Sequence, residues 1–360
     1  MTKSGAGTYK RAFDSIKRNR DRQLAGKVNC IPFKLPRFEK YVPGLEPRTY
    51  TIVTASSGVG KSKLSKLLYV IRAYEYMKEN PDCGIKVKIF YFCLEEYREI
   101  FMQSLIIYEL YRRYKKRIDI KQLNSMYQGK ILGEETIEQI ELLKEYFEEM
   151  ERDCLVIYDR AKNPDHIYRI LKEYAEANGD WHEGQYIPKD QEELVVPIFD
   201  HISLLEPNKG ERLIDAMGRF SAQHLVDLRN TYGMSPIAVQ QQSADKERQV
   251  YTSSGSSVDS KLEPSLDGLA DNKKTQRDAD MVIGLFAPDR FEMEQHRGYD
   301  IKGLQDSYRS LSVLKNRYGA TNLRVGLYFD GAVGEFAELP NATDKVEMSK
   351  VLKHITGLNG

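Results

Sequence analysis

Cysteine is scarce in this chain. There are four in 360 residues, Cys30, Cys83, Cys93 and Cys154, with no two spaced as a metal-binding pair. That spacing argues against a zinc knuckle and fits reduced, mostly buried thiols in a cytosolic protein. Long apolar runs are missing as well. None approaches the roughly 18 residues that a membrane span requires. The N-terminus also lacks the apolar core of a signal peptide, so neither insertion nor export is expected. Nothing recurs at a period of 20–50 residues, which speaks against a solenoid. Tryptophan occurs once, as Trp181, and net charge is only +1.

That small net charge hides an uneven spread. Residues 1–50 hold 12 Lys/Arg against 4 Asp/Glu, a balance of +8, so the remainder stands at −7. A basic arm on a mildly acidic body suits docking onto an acidic surface or nucleic acid, and equally a solvated tail. Within the arm, Tyr9, Phe13 and Ile16 fall on one narrow helical stripe that needs a partner surface. Residues 24–48, with Gly26, Pro32, Pro36, Pro43 and Pro47, read as an extended connector.

What is present begins with ASSGVGKS, Ala55 to Ser62, after the apolar run Tyr50–Thr54 and before the helix-suited Leu64, Leu67, Leu68, Val70 and Ile71. A strand, a small-residue loop and a helix opening at Lys-Ser make a phosphate cradle. Backbone N–H groups of Ser57, Gly58, Val59, Gly60, Lys61, Ser62 and Lys63 face the phosphates. Lys61 reaches the outer phosphates, and Ser62 supplies an oxygen to Mg²⁺. Ala55 stands where the usual pattern has its first glycine, which is tolerable if that residue needs no positive φ. The expected ligand is ATP or another nucleoside triphosphate, with Mg²⁺.

Beyond the loop, beta-rich and helical runs alternate. Lys86–Cys93 reads as a buried strand, with further strands at Leu155–Tyr158, Leu194–Phe199, Pro236–Gln240, Met281–Phe286, Ser310–Leu314 and Arg324–Phe329. Tyr97–Tyr114 and Glu134–Arg152 read as amphipathic helices. Such alternation predicts an α/β core, a mostly parallel twisted sheet flanked by helices. Gln242–Lys274 is instead a polar stretch with SSGSS at its centre, either a functional loop placed just past a strand end where open α/β sheets put their ligand sites or a plainly disordered segment.

Several strand ends carry chemistry. Glu95 and Glu96 follow the second strand, where a carboxylate can orient the water that attacks a γ-phosphate; Glu96 can equally serve only to open the next helix. Asp200 closes the apolar run from Val195, well placed to hold Mg²⁺ beside Ser62. Gln240, Gln241 and Gln242 end another strand, where amides can sense a γ-phosphate or merely begin an exposed loop. Lys315 and Arg317 end a late strand, either as a trans-acting arginine finger with its lysine or as surface ion-pair partners.

The ordered set ASSGVGKS, CLEE, IFDHISLL, AVQQQ, RDADMVIGLF and LKNRYG resembles the RecA-type core of hexameric replicative helicases, the DnaB-like group of superfamily 4. The DHIS wording, Asp200 to Ser203, is closest to Twinkle and the phage primase-helicases. The resemblance spans about residues 38–340. It implies a RecA-like P-loop core at 31–342, an N-terminal linker helix or arm at 1–30 that docks on the neighbouring subunit, and a tail at 343–360. Glu95 would be the catalytic base, Asp200 the Mg²⁺ aspartate and Gln241 the sensor. Lys315 and Arg317 would act on the neighbour's nucleotide. Single-stranded DNA would meet Lys209 and Arg212 in the loop after Asp200, and Lys246, Arg248, Lys273 and Lys274 in the long loop. The expected assembly is a homo-oligomeric ring, a hexamer, working in a bacterial or phage-infected cytoplasm with a separate primase or loader. With only about fifty residues before the phosphate loop, no primase or collar domain is expected. An insertion at Gly179–Glu193, with Trp181, has no counterpart in that family. Two alternatives stay open: a RecA- or KaiC-like ATPase that does not unwind, and a nucleotide-switched DNA-binding module.

Overall fold

The computed structural model describes residues 7–243, 262–269, 272 and 274–359. Its strands are β1 (Thr51–Ala55), β2 (Lys86–Cys93), β3 (Leu155–Tyr158), β4 (Gly179–His182), β5 (Gln185–Pro188), β6 (Glu193–Asp200) and β7 (Ile237–Gln241). They continue with β8 (Met281–Phe286), β9 (Gln295–His296), β10 (Tyr299–Asp300), β11 (Tyr308–Asn316), β12 (Arg324–Asp330) and β13 (Glu335–Glu338). Nine of them form one sheet in the order β13-β12-β11-β8-β1-β7-β6-β2-β3. From β3 to β8 along that order the pairs are parallel, and β11, β12 and β13 extend the β8 edge antiparallel.

Burial explains these choices. β1 (TIVTA) and β8 (MVIGLF) are buried along their whole length, as parallel strands covered on both faces must be. β2 shows the two faces separately. Ile89, Tyr91 and Cys93 enter one core, while Phe90 and Phe92 enter the other. The first core lies under the helical stretch 61–79 and the helix Arg98–Tyr114. The second lies under the helix Pro164–Ala177 and the helical stretch 213–230. Asn163 caps that former helix by accepting from the N–H groups of Asp165 and His166, with Pro164 at its first position. A third, smaller cluster of Tyr299, Ile301, Leu304, Tyr308, Leu339, Met348 and Ile355 seats the final helix, Lys345–Asn359, against the sheet edge. Among the described residues no helix is long and apolar enough to cross a membrane.

Three local readings change. The helix predicted over Glu134–Arg152 is broken at Leu143, whose ψ of −7° turns it and Phe147 into the core while Ile137 stays exposed. Residues 25–48 are not the extended connector expected: they are rich in turns, Ile31 and Leu45 bridge, and Ile31, Phe33, Leu35, Phe38, Val42 and Leu45 are buried in the first core. Prolines deny this segment a ladder, yet the apolar residues between them pack as a strap rather than a loose connector. The 179–193 insertion forms the β4–β5 hairpin, whose Trp181 packs edge-on against Tyr186 and Tyr232. The arm is helical over α1 (Thr8–Leu24), with no buried residue. It meets the body near its end, where Arg22 donates to the carbonyls of Gly84 and Val28 at 2.7 and 2.8 Å.

Candidate active site

The parallel strands deliver their C-terminal ends to one side of the sheet. β1 ends there at Ala55, a fully buried strand residue paired with Gln241 and absent from the positive-φ positions. The glycine of the usual pattern is therefore unnecessary at that point. Gly58 and Gly60 do need their freedom, at φ of 72° and 112°. A Cβ on Gly60 would also sit 3.2 Å from Phe329 and 3.3 Å from Phe336. The loop thus curls over 56–60 into the helix that starts at Lys61.

Lys61 is buried and donates to its own loop at Ser56 O, 2.8 Å away. Burial pushes its ammonium down to about 8, opposed by the charges of Asp200 and Glu95 and assisted by Arg290. Ser62 Oγ donates to Asp200 Oδ1 at 3.0 Å, and Tyr91 Oη donates to Asp200 Oδ2 at 2.7 Å. Asp200 is thereby held at the end of β6 with one oxygen on the loop's serine. Ser62 and Asp200 are hard oxygen donors side by side, a set suited to Mg²⁺ shared with a phosphate. Lys63 donates to Gly331 O and turns away from the cradle.

The two glutamates after β2 separate clearly. Glu96 is ion-paired with the buried Lys66, which also lies over the Phe101 ring. Glu95 is 63 % exposed, and His201 Nε2 lies 3.7 Å from its Oε2. Gln241, at the tip of β7, brings its amide nitrogen to 3.2 Å from the same ring nitrogen. Gln240 is buried and accepts from Thr275 Oγ1 at 2.7 Å, so it serves the core. Gln242 donates to Thr54 Oγ1 and to Ser265 O, tying the start of the long loop to its return.

Lys315 and Arg317 lie elsewhere. β11 runs antiparallel to β8, so Asn316 pairs with Met281, which in turn pairs with Thr51 at the start of β1. The length of β1, about 13 Å of strand, therefore separates this pair from its own phosphate loop. Arg317 Nη1 donates to Asp280 Oδ1 at 2.8 Å, and Lys315 Nζ donates to the carbonyls of Gln276 and Ala279. Lys209 and Arg212 are exposed in the loop after Asp200, with Arg212 paired to Asp215. Lys274 is exposed too, and its neighbour Asn272 donates to Ile214 O at 2.7 Å, joining the two loops. Lys246, Arg248 and Lys273 lie outside the described residues.

Two arginines at the site escaped the sequence reading. Arg290 donates to Ser57 O inside the phosphate loop, and its guanidinium lies 3.5 Å from where a Gly58 Cβ would stand. Arg309 is fully buried, donates through Nε to Val59 O at 2.8 Å and stacks over Phe329 at 4.3 Å. Neither sits in a motif, since both arrive from strands and turns more than two hundred residues away.

No protein-family model and no curated protein matches the sequence. Among solved structures the chain is similar to an ATPase domain, with a TM-score of 0.66 and 17% identity over 93% of this chain and 100% of that one. It is also similar to a DnaB-like replicative helicase studied with its primase interactions, with a TM-score of 0.65 and 16% identity over 92% of this chain and 68% of that one. At such identities the likeness is one of fold, and the fold is α/β and RecA-like.

Proposed function

We propose that this chain is an NTP-hydrolysing DNA helicase or translocase that works on single-stranded DNA as a ring of identical subunits. The observation that carries the reading is the meeting of four strand ends at one place. The glycine-bent phosphate loop, the Ser62–Asp200 pair, the solvent-open Glu95 and the Gln241 amide share the C-terminal side of a RecA-like sheet.

The groups divide the work of phosphoryl transfer. Lys61 leaves Ser56 O to meet the outer phosphates, and the N–H groups of 57–63 hold them. Ser62 and Asp200 would hold Mg²⁺, which would neutralise phosphate charge when bound. Glu95 orients a water and takes its proton as the water oxygen bonds to the γ-phosphorus and the bond to the bridging oxygen breaks. Arg317 completes the pocket of the next protomer, a role supported by its distance from its own loop. Lys315 supports it there. Lys209, Arg212 and Lys274, with Lys246, Arg248 and Lys273, track the DNA backbone, which needs cations and no base readout.

Within this reading residues 1–30 are the arm that docks on the neighbour, 31–342 the motor core and 343–360 its C-terminal tail. The exposed stripe of Tyr9, Phe13 and Ile16, with Tyr9 82 % exposed, supports a partner surface for the arm. The DnaB-like neighbour's primase interactions make a separate primase the partner to seek. The setting is the cytoplasm of a bacterium or of a phage-infected host. The test is strand separation of a forked duplex with ATP, against Lys61→Ala as the inactive control. DNA-stimulated hydrolysis without strand separation would reassign the chain to a RecA- or KaiC-like ATPase.

A further inference from the structure

β6 lies between β7 and β2 in the sheet, so the residue that follows its end stands between the tips that carry Gln241 and Glu95. That residue is His201. Its side chain is buried, and one atom of it, Nε2, lies 3.2 Å from the Gln241 amide nitrogen and 3.7 Å from Glu95 Oε2. An imidazole nitrogen offers either one N–H or one lone pair. With the lone pair it accepts from the Gln241 amide; with the N–H it donates to the Glu95 carboxylate. It serves one of them at a time, and the two neutral tautomers suffice.

We propose that His201 is a positioning residue that links Glu95 to Gln241, so that the state of the long loop decides how the water-orienting carboxylate is held. The proposal rests on the hydrolytic reading of Glu95 given above. Its mechanical side is visible in the backbone. Gln241 pairs with Ala55, the last residue before the phosphate loop, and Gln242 N donates to Ala55 O at 3.0 Å. The Gln242 side chain then holds Ser265 O, and Ser243 N donates to Gly268 O at 2.7 Å. A shift of the loop's ends pulls on the β7 tip and moves Gln241 against the ring. The two contacts on Nε2 differ by half an ångström, so a small shift of Gln241 changes how closely the ring sits against Glu95. Glu95, being largely exposed, has the freedom to follow.

A histidine that only fills space would leave three things untouched: the split between kcat and KM, the stimulation by DNA, and the coupling between the two ligands. The test uses the full chain with oligo-dT, ATP, a fluorescent nucleotide and a non-hydrolysable ATP analogue. His201→Phe keeps a ring without hydrogen bonds, and His201→Gln returns an amide near the position of Nε2. For His201→Phe the DNA-stimulated kcat should fall on the order of 10²-fold, the loss that about 1 Å of misplacement can cause. Its KM and fluorescent-nucleotide affinity should stay within about twofold of the parent values. The tightening of oligo-dT binding by the analogue, on the order of 5–150-fold for a coupled pair of sites, should disappear. His201→Gln should regain most of both, and adding Gln241→Leu to His201→Phe should cause no further loss. Stimulation and tightening unchanged in His201→Phe, beside an inactive Glu95→Gln, overturn the proposal and leave the function standing. Normal turnover by Glu95→Gln overturns the assignment of Glu95 as the water-orienting base, and this proposal with it. Should His201→Phe not fold, His201→Leu takes its place, read against His201→Gln: coupling lost in the first and kept in the second supports the link, and coupling kept in both refutes it.

Discussion

The two ends of the β1–β8 strand pair hold their charges in opposite ways. At the phosphate-loop end the polar groups have partners that are easily exchanged. Lys61 rests on Ser56 O, Arg290 on Ser57 O, Asp200 on two neutral hydroxyls, and Glu95 stands open to solvent. At the other end Asp280 is almost fully buried and carries Arg229 at 2.6 Å, Arg317 at 2.8 Å and the N–H of Tyr50 at 3.0 Å. The first end is pre-organised for a ligand the chain does not itself supply; the second is complete without one. Yet Arg317 is 39 % exposed, and Asp280 keeps Arg229 if Arg317 swings away. An arginine that can leave its carboxylate without stranding it meets the requirement that the proposed function places on Arg317.

The largest effects should come from testing that freedom. Lys61→Ala and Arg317→Ala should each lower hydrolysis by about 10³–10⁵-fold, the range for losing a phosphate-neutralising cation. Arg317→Ala should still bind nucleotide. Its stability should change by less than about 1 kcal/mol, because an exposed ion pair contributes little. Mixing the two proteins should restore part of the hydrolysis at hybrid interfaces. An absence of any restoration would show that the pocket is not shared.

A smaller effect sharpens the contrast between the carboxylates. Asp280→Asn leaves Arg229 buried without its counter-charge, so a denaturant titration should show a loss of about 3–5 kcal/mol. Asp200→Asn removes a charge whose side-chain hydrogen bonds come from two hydroxyls and which acts on Lys61 only through space, so its stability should stay within about 1 kcal/mol while hydrolysis collapses. Equal destabilisation by both would erase the distinction between a site and a brace. Below these comes Arg290→Ala. It removes a cation at the cradle but also relieves the downward push on Lys61, so a net loss of about tenfold in triphosphate affinity is expected by fluorescence titration.

How much of this was legible beforehand follows from how local each signal is. The phosphate loop and the β2 and β8 strands were readable because a few consecutive residues state them: ASSGVGKS, KVKIFYFC, MVIGLF. Asp200 was readable because it ends such a run. Tyr91 was hidden inside one, as its hydroxyl looks like one more β-former until β6 brings Asp200 beside it. Arg290 and Arg309 were invisible because their partners are backbone carbonyls of the loop, which no side-chain pattern announces. The β4–β5 hairpin was missed for the opposite reason. Four-residue strands with polar faces carry too short an alternation to detect. The strap at 31–45 shows that proline spacing predicts irregular backbone but says nothing of burial.

The smallest predicted effect concerns the return of the long loop, where Glu263 behaves unlike anything at the phosphate site. It accepts from His296 at 3.0 Å, Arg297 at 2.8 Å and Arg324 at 3.1 Å. Burial alone would raise its carboxyl, but those donors and the arginine charges outweigh burial and hold it at about 2, against an ordinary 4.5. The folded chain therefore binds its proton less readily than the unfolded one. The stabilisation is fully present above pH 4.5 and is lost as pH falls from 4.5 towards 2. Glu263→Gln should cost about 1–2 kcal/mol at neutral pH, a discounted value for a half-solvated network, and nothing near pH 2. Lys61 gives the mirror case. Its value, lowered from 10.5 to about 8, means that the folded chain binds fewer protons between those limits, so its contribution to stability rises with pH across that window. Parallel acid and alkaline unfolding series on Glu263→Gln and Lys61→Met separate the two regions: one variant should lose stability relative to the parent in the neutral range, and the other should not.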